Sequence, residues 1–124
     1  MKAFRNAVET RDLAALTALL APDVVFHSPV SFKPYRGREQ VGWILATVAT
    51  VFEDFTYIDE VENGRSSVLR FRARIGEREA EGVDLIEQDE HGAVRALTVM
   101  VRPLSALQAL AEAMAVRFGN KSQR

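Results

Sequence analysis

Residues 67–85 constrain the fold more than any other part of the chain. Ser67-Val68-Leu69-Arg70-Phe71-Arg72-Ala73-Arg74-Ile75 alternates polar and apolar with period 2, and so does Arg78-Glu79-Ala80-Glu81-Gly82-Val83-Asp84-Leu85. The Gly76-Glu77 dipeptide between them suits a two-residue hairpin turn with glycine at its first central position. That loop predicts a register in which Ile75 opposes Arg78, Arg74 opposes Glu79, Ala73 opposes Ala80 and Arg72 opposes Glu81. One face then carries a cross-strand ladder of opposite charges, Arg72 and Arg74 against Glu79 and Glu81. The other carries Leu69, Phe71, Ala73, Ala80, Gly82 and Asp84. A slip by one residue would turn the arginines into the core, so the register is strongly specified. A carboxylate on the apolar face needs a hydrogen-bond partner, a raised pKa or a chemical task. Arg78, Tyr57 or a water are the partners a purely structural Asp84 would use.

The 124 residues suffice for one domain with a hydrophobic core, and residues 1–118 read as that single domain, followed by a polar tail over 119–124. Lys+Arg number 16 against Asp+Glu 17, a balance that argues against a nucleic-acid groove or a polybasic membrane patch. There is no cysteine, hence neither a disulfide nor thiol chemistry. His27 and His91 lie far apart without ligand spacing, so no metal site and no cofactor is expected. No apolar run reaches the ~20 residues of a membrane span, and the N-terminus lacks a secretory apolar region. A cytoplasmic location is the expectation.

Along the chain, Lys2 to Val8 predicts a short helix presenting Phe4, Ala7 and Val8. Asp12 can cap a second helix whose Leu13, Leu16, Leu19 and Leu20 form a stripe, with Pro22 just past its end. Val24 to Ser28 predicts a short strand, 31–36 a loop, and Gly37 to Phe52 the longest helix. Phe55 to Val61 predicts a strand, followed by the turn signal Asn63-Gly64. Val94 to Val101 is apolar on both faces and predicts a strand covered on both sides. Pro103 suits the start of a last helix carrying Leu107, Leu110, Ala111, Met114 and Phe118. Helices segregated from a run of strands give an α+β fold: a curved antiparallel sheet wrapped around helices, with a pocket at its open end.

Three segments in this order, Asp12-Leu13 to Leu20-Ala21-Pro22-Asp23-Val24-Val25-Phe26-His27-Ser28-Pro29, then Tyr35-Arg36-Gly37-Arg38-Glu39-Gln40-Val41, then Asp84 to Asp89-Glu90-His91-Gly92, resemble the nuclear transport factor 2-like superfamily. Within it the chain looks like the SnoaL-like proteins and ketosteroid isomerase. The resemblance spans nearly all of the chain up to Pro103. It implies a cone-shaped α+β barrel with a deep, mostly apolar pocket, and a homodimer. Of the isomerase's three functional positions, the carboxylic-acid donor falls on Asp84, the general-base aspartate on Ser28 and the oxyanion-hole tyrosine on Phe4. Ser28 cannot act as a carboxylate base and Phe4 cannot donate a hydrogen bond, so the resemblance implies the fold without the steroid isomerase mechanism.

Three candidate catalytic residues follow. Asp84 is a pocket acid or base, on the analogy of the neutral carboxylic acid of ketosteroid isomerase. His27 is a replacement base, although strict alternation points it away from the face that Ser28 shares. Ser28 is a polar ligand contact, since an adjacent strand residue cannot readily activate it as a nucleophile. Candidate ligand-binding residues are Phe4, Phe26, Tyr35, Leu45 and Leu69, with Phe71, Leu97, Val99 and Val101. An apolar pocket with few polar groups suits a small apolar carbonyl compound, bound or turned over by proton transfer of isomerase, cyclase or dehydratase type. The alternatives are a non-catalytic binding module and a protein-interaction module whose sheet face, with Ala96, Thr98 and Met100, recruits a partner.

Overall fold

The structure, a computed structural model, describes residues 1–122. Four helices, α1 (Lys2–Glu9), α2 (Leu13–Ala18), α3 (Arg38–Ala49) and α4 (Leu104–Ser122), pack on one curved, unclosed sheet. Its strands are β1 (Leu20–His27), β2 (Tyr35–Arg36), β3 (Glu53–Asn63), β4 (Ser66–Ile75), β5 (Arg78–Gln88) and β6 (Val94–Arg102), in the order β2-β1-β6-β5-β4-β3. All neighbours are antiparallel except β1 and β6, which run parallel.

The central hairpin has the predicted register: Ile75 opposes Arg78, Ala73 opposes Ala80, Phe71 opposes Gly82 and Leu69 opposes Asp84. Burial along β4 alternates without a break, with Ser67, Leu69, Phe71, Ala73 and Ile75 inside. The charge ladder forms at one rung, Arg72 to Glu81 at 3.6 Å. Arg74 instead turns to β3, where Asp54 lies 2.8 Å from its guanidinium. Gly82 is required where it stands. A Cβ there would come within 2.4 Å of both the Phe71 ring and the Met100 carbonyl oxygen. Its absence lets Phe71 lie across β5 and stack on Phe55, ring centroids 4.7 Å apart.

Asp12 caps α2 by accepting a hydrogen bond from Ala15 N at 3.1 Å. Leu20 departs from the helical stripe: α2 ends at Ala18, and Leu20 already pairs with Val94 at the start of β1. β1 is therefore longer than Val24 to Ser28, because Val94 N donates to Leu19 O and pulls the chain into the sheet. β3 also differs from a simple alternating strand. An irregularity between Tyr57 and Asp59 leaves Ile58 outside the pairing and exposed. Before it, Phe55 and Tyr57 face inward. After it, Glu60 and Glu62 take the positions towards α1, where Arg5 and the N-terminal ammonium pair with them at 3.0 and 2.9 Å.

The core lies between the inner sheet face and the helices, with Phe4 and Ala7 of α1, Leu16 of α2, Val41 and Ile44 of α3, and Ala106, Leu110 and Met114 of α4. α4 packs on β4, β5, β6 and α3, and its helical course includes residues 119–122 of the segment expected to be a tail. Residues 123–124 lie outside the described ones. β6 is covered on one side only within this chain: Leu97 is buried, while Met100 on the outer face is 54% exposed. Among the described residues no helix is long and apolar enough to cross a membrane.

Candidate functional site

The inner sheet face and α1–α3 enclose a cavity of about 100 Å³. Its walls are apolar, built from Phe4 and Val8 of α1, Leu45 and Val48 of α3, and Phe26 and Leu97 of the sheet. Phe71 and Val99 complete the predicted lining present there, and Leu110 closes one side from α4. Two polar side chains from the sheet break this surface, Tyr57 and Asp84.

Asp84 is 6% exposed, one of two buried polar residues among those described, the other being Ser67. The register of β4 and β5 places it inside, opposite Leu69 on one neighbour and Val99 on the other. Tyr57 reaches it diagonally from β3, and its hydroxyl donates to Asp84 Oδ2 at 2.6 Å. Burial pushes the Asp84 carboxyl up to about 7, only partly opposed by the Tyr57 hydrogen bond. The same surroundings push the Tyr57 phenol far above its usual range: burial first, then the charge and hydrogen bond of Asp84. Tyr57 therefore remains a donor. Its position is fixed from α1, because its backbone N–H donates to Glu9 Oε2 at 3.0 Å and the Arg5 guanidinium sits 5.7 Å above its ring.

Asp84 Oδ1 accepts no hydrogen bond from the described residues, yet it is not a sealed, unpartnered atom. With Oδ2 occupied by the Tyr57 donor, a neutral Asp84 carries its proton on Oδ1. The pair thus offers one O–H donor to a ligand when neutral and one carboxylate base when ionised.

The other predicted residues lie elsewhere. His27 ends β1 on the exposed side and borders a surface groove with Thr98 and Met100. Alternation along β1 puts Phe26 in and His27 out, as the period-2 geometry requires. Ser28 is half-buried but turned into its own loop, where its hydroxyl oxygen accepts from Val30 N at 3.3 Å and Ser31 N at 2.9 Å. Neither lines the Asp84 cavity. Leu69 is fully buried core, Tyr35 lines a neighbouring cavity, and Val101 borders grooves on the outer side.

Tyr35 and Trp43 suit a pocket mouth by sequence, yet neither lines this cavity. Arg11, in the turn between α1 and α2 with φ 56°, lines the cavity and donates from Nη2 to Phe52 O at 3.0 Å, tying that turn to the end of α3. Nothing in the local sequence announces it. Phe52 and Phe55 also line the cavity; the sequence puts Phe52 on the apolar face of the longest helix and Phe55 at the start of a strand, without a site role for either. No group of three or more His, Cys, Asp or Glu among the described residues can hold a metal ion.

Comparison with known proteins agrees with this architecture. The SnoaL-like domain matches residues 1–102. A crystal structure of a steroid delta-isomerase from Pseudomonas aeruginosa is 47% identical, with a TM-score of 0.92 over 98% of this chain and 90% of that one. An uncharacterised conserved bacterial protein with a cystatin-like fold from Silicibacter pomeroyi is 34% identical, with a TM-score of 0.94 over 98% and 86%. An NTF2-like protein of unknown function from Mesorhizobium loti shares the fold at 21% identity, with a TM-score of 0.74 over 83% and 88%. No curated protein matches the chain. A curved six-stranded sheet folded over helices, a carboxyl inside its cavity and these matches agree: the chain belongs to the SnoaL-like family, within the cone-shaped nuclear transport factor 2-like fold.

Proposed function

We propose that the protein binds a small apolar carbonyl compound in the Asp84 cavity. The observation that carries this reading is a buried carboxyl with one oxygen held by Tyr57, the other without a donor among the described residues, in otherwise apolar walls. A neutral Asp84 donates from Oδ1 to the ligand carbonyl oxygen, and the hydrocarbon remainder contacts Phe4, Phe26 and Leu97. Specificity rests on that single hydrogen bond, because a ligand without an acceptor leaves the carboxyl unpaired in an apolar site.

Any chemistry would be proton transfer by Asp84 alone. In its ionised form the carboxylate removes an α-proton from a β,γ-unsaturated ketone and returns it to the γ-carbon. The double bond moves into conjugation and the carboxylate is regenerated. This differs from the three-residue steroid isomerase arrangement. Phe4 contributes only an apolar wall, and Ser28 is occupied by its loop. The name of the Pseudomonas relative supports an isomerase-type reaction class; the departures at Ser28 and Phe4 count against the same mechanism.

The test is titration of 2-butanone and 3-cyclohexen-1-one against wild type and Asp84→Asn, following Trp43 fluorescence and melting temperature. The conjugated product of the second compound is read by ultraviolet absorbance. Binding that weakens in the variant supports the reading; equal binding to both proteins contradicts it. Stable binding without product supports the non-catalytic form of the same site.

The outer sheet face would join two copies of this chain. Exposed Met100 and Val68 lie among Arg72, Arg95 and Arg102 and their partners Glu81 and Glu87, a mixed-charge surround that suits self-association. Sedimentation of wild type and Met100→Asp tests this: a dimer that dissociates in the variant agrees, and a monomer at all concentrations does not.

A further inference from the structure

The Asp84 cavity is small for the ligand class proposed. Its volume of about 100 Å³ is below the roughly 150 Å³ of an engineered apolar cavity that admits benzene. A second cavity of about 190 Å³ lies beside it. The two share Phe26, Pro29, Val48 and Leu110 as lining residues, so they adjoin. Together they come close to the ~300 Å³ at which pockets for larger organic ligands begin.

The second cavity is roofed by α4. Ala111, Met114 and Phe118 of that helix face Ile44 and Val48 of α3 and Tyr35 of β2 across it. Phe118 lies between Tyr35 and Trp43, with ring centroids at 6.5 and 5.3 Å. This helix lies beyond the SnoaL-like match at residues 1–102, so the roof is not part of the matched domain. Small residues, Ala111 and Ala115, stand where larger side chains would fill the space.

We infer that this cavity is a second subsite, which takes the hydrocarbon tail of an elongated ligand whose carbonyl head lies at Asp84. Leu110, shared by both cavities, forms the neck between head and tail. The ligand class is thereby narrowed to long-chain ketones. The placement of the head rests on the function proposed above; the occupancy of the second cavity does not.

The experiment is a series of straight-chain 2-alkanones from 2-butanone to 2-undecanone. Trp43 fluorescence reports on the far cavity through the Trp43–Phe118 contact, and melting temperature reports binding independently. Affinity is expected to rise about fourfold per added methylene and then level off when the second cavity is full. In Ala111→Phe that rise flattens; in Ala111→Leu it flattens less, which guards against a folding defect in the larger variant. An affinity that stops rising at 2-pentanone overturns the inference, as does a slope unaltered by both Ala111 variants. The same series in Asp84→Asn separates the two claims. A uniform weakening with the slope retained places the head at Asp84. An unchanged series removes the head-group reading and leaves the tail subsite standing. If no alkanone binds wild type, both fall.

Discussion

Two polar pairs belong to one sheet and its edge, Tyr57 with Asp84 on β3 and β5, and His27 with Ser28 at and just past the end of β1, and they meet opposite fates. The first faces the enclosed side, where burial raises the carboxyl towards neutrality and the phenol holds it. The second lies at the open end of β1, His27 exposed and Ser28 folded back on its own loop. Residue type does not distinguish the pairs, since histidine and serine are common in catalytic sites. The distinction is made by the outward pleat face for His27, by the loop N–H groups that occupy Ser28, and by how completely water is removed from Asp84.

The largest separation of the two pairs is expected in turnover. Asp84→Asn should lower the rate of double-bond migration in 3-cyclohexen-1-one by about 10²–10⁴-fold, the span of one positioned acid–base group. His27→Ala should change it less than about twofold. Absorbance assays on the two variants check this, and equal losses would erase the contrast.

The next effect is on stability. The folded protein keeps the Asp84 proton up to about pH 7, whereas the unfolded chain releases it near the ordinary value of 3.8. The unfolded state then binds fewer protons between those values, so the contribution to stability falls as pH rises from about 4 to about 7 and is level above that. The full loss amounts to at most about 4 kcal/mol. Urea unfolding of wild type and Asp84→Asn across this range should show a flatter profile in the variant, and greater stability than wild type at pH 8. Parallel profiles would mean that Asp84 titrates as an exposed carboxyl does.

A smaller effect sharpens the account of the pair itself. The Tyr57 hydrogen bond lowers the Asp84 pKa, so Tyr57→Phe should move the midpoint of the pH–rate profile upward from about 7 and cost about 1–3 kcal/mol of stability. A downward shift would contradict the assigned role of the phenol. The smallest effect belongs to the other pair. Ser28→Ala removes an acceptor for two loop N–H groups and should cost about 1 kcal/mol in thermal unfolding, with the affinity for 2-butanone, which reaches only the Asp84 cavity, unchanged.

The legibility of these features differed for physical reasons. The hairpin of β4 and β5 was readable because a two-residue loop and strict alternation leave one register, and that register alone puts Asp84 inside. The family's motif spacing led to the same residue. Tyr57 is one of three partners that the sequence offers for Asp84, with Arg78 and a water; choosing among them takes the pairing of β3 with β4, which no local pattern fixes. Arg11 escaped for a similar reason: its approach to the cavity depends on a left-handed turn and a contact to Phe52, distant in sequence. The end of α2 was misplaced because Leu20 continues a helical stripe, yet pairing with Val94 takes it into the sheet. For His27 the alternation rule had already indicated the outward face, which is where the strand places it.

The most direct measurement is the titration of the Asp84 side-chain carboxyl carbon by ¹³C nuclear magnetic resonance, with and without 2-undecanone. The account predicts a midpoint near 7 in the free protein, moving upward when the ketone binds, because the neutral acid is the form that donates to the carbonyl. A midpoint in the ordinary carboxylate range, or one that the bound ketone leaves unmoved, would contradict it.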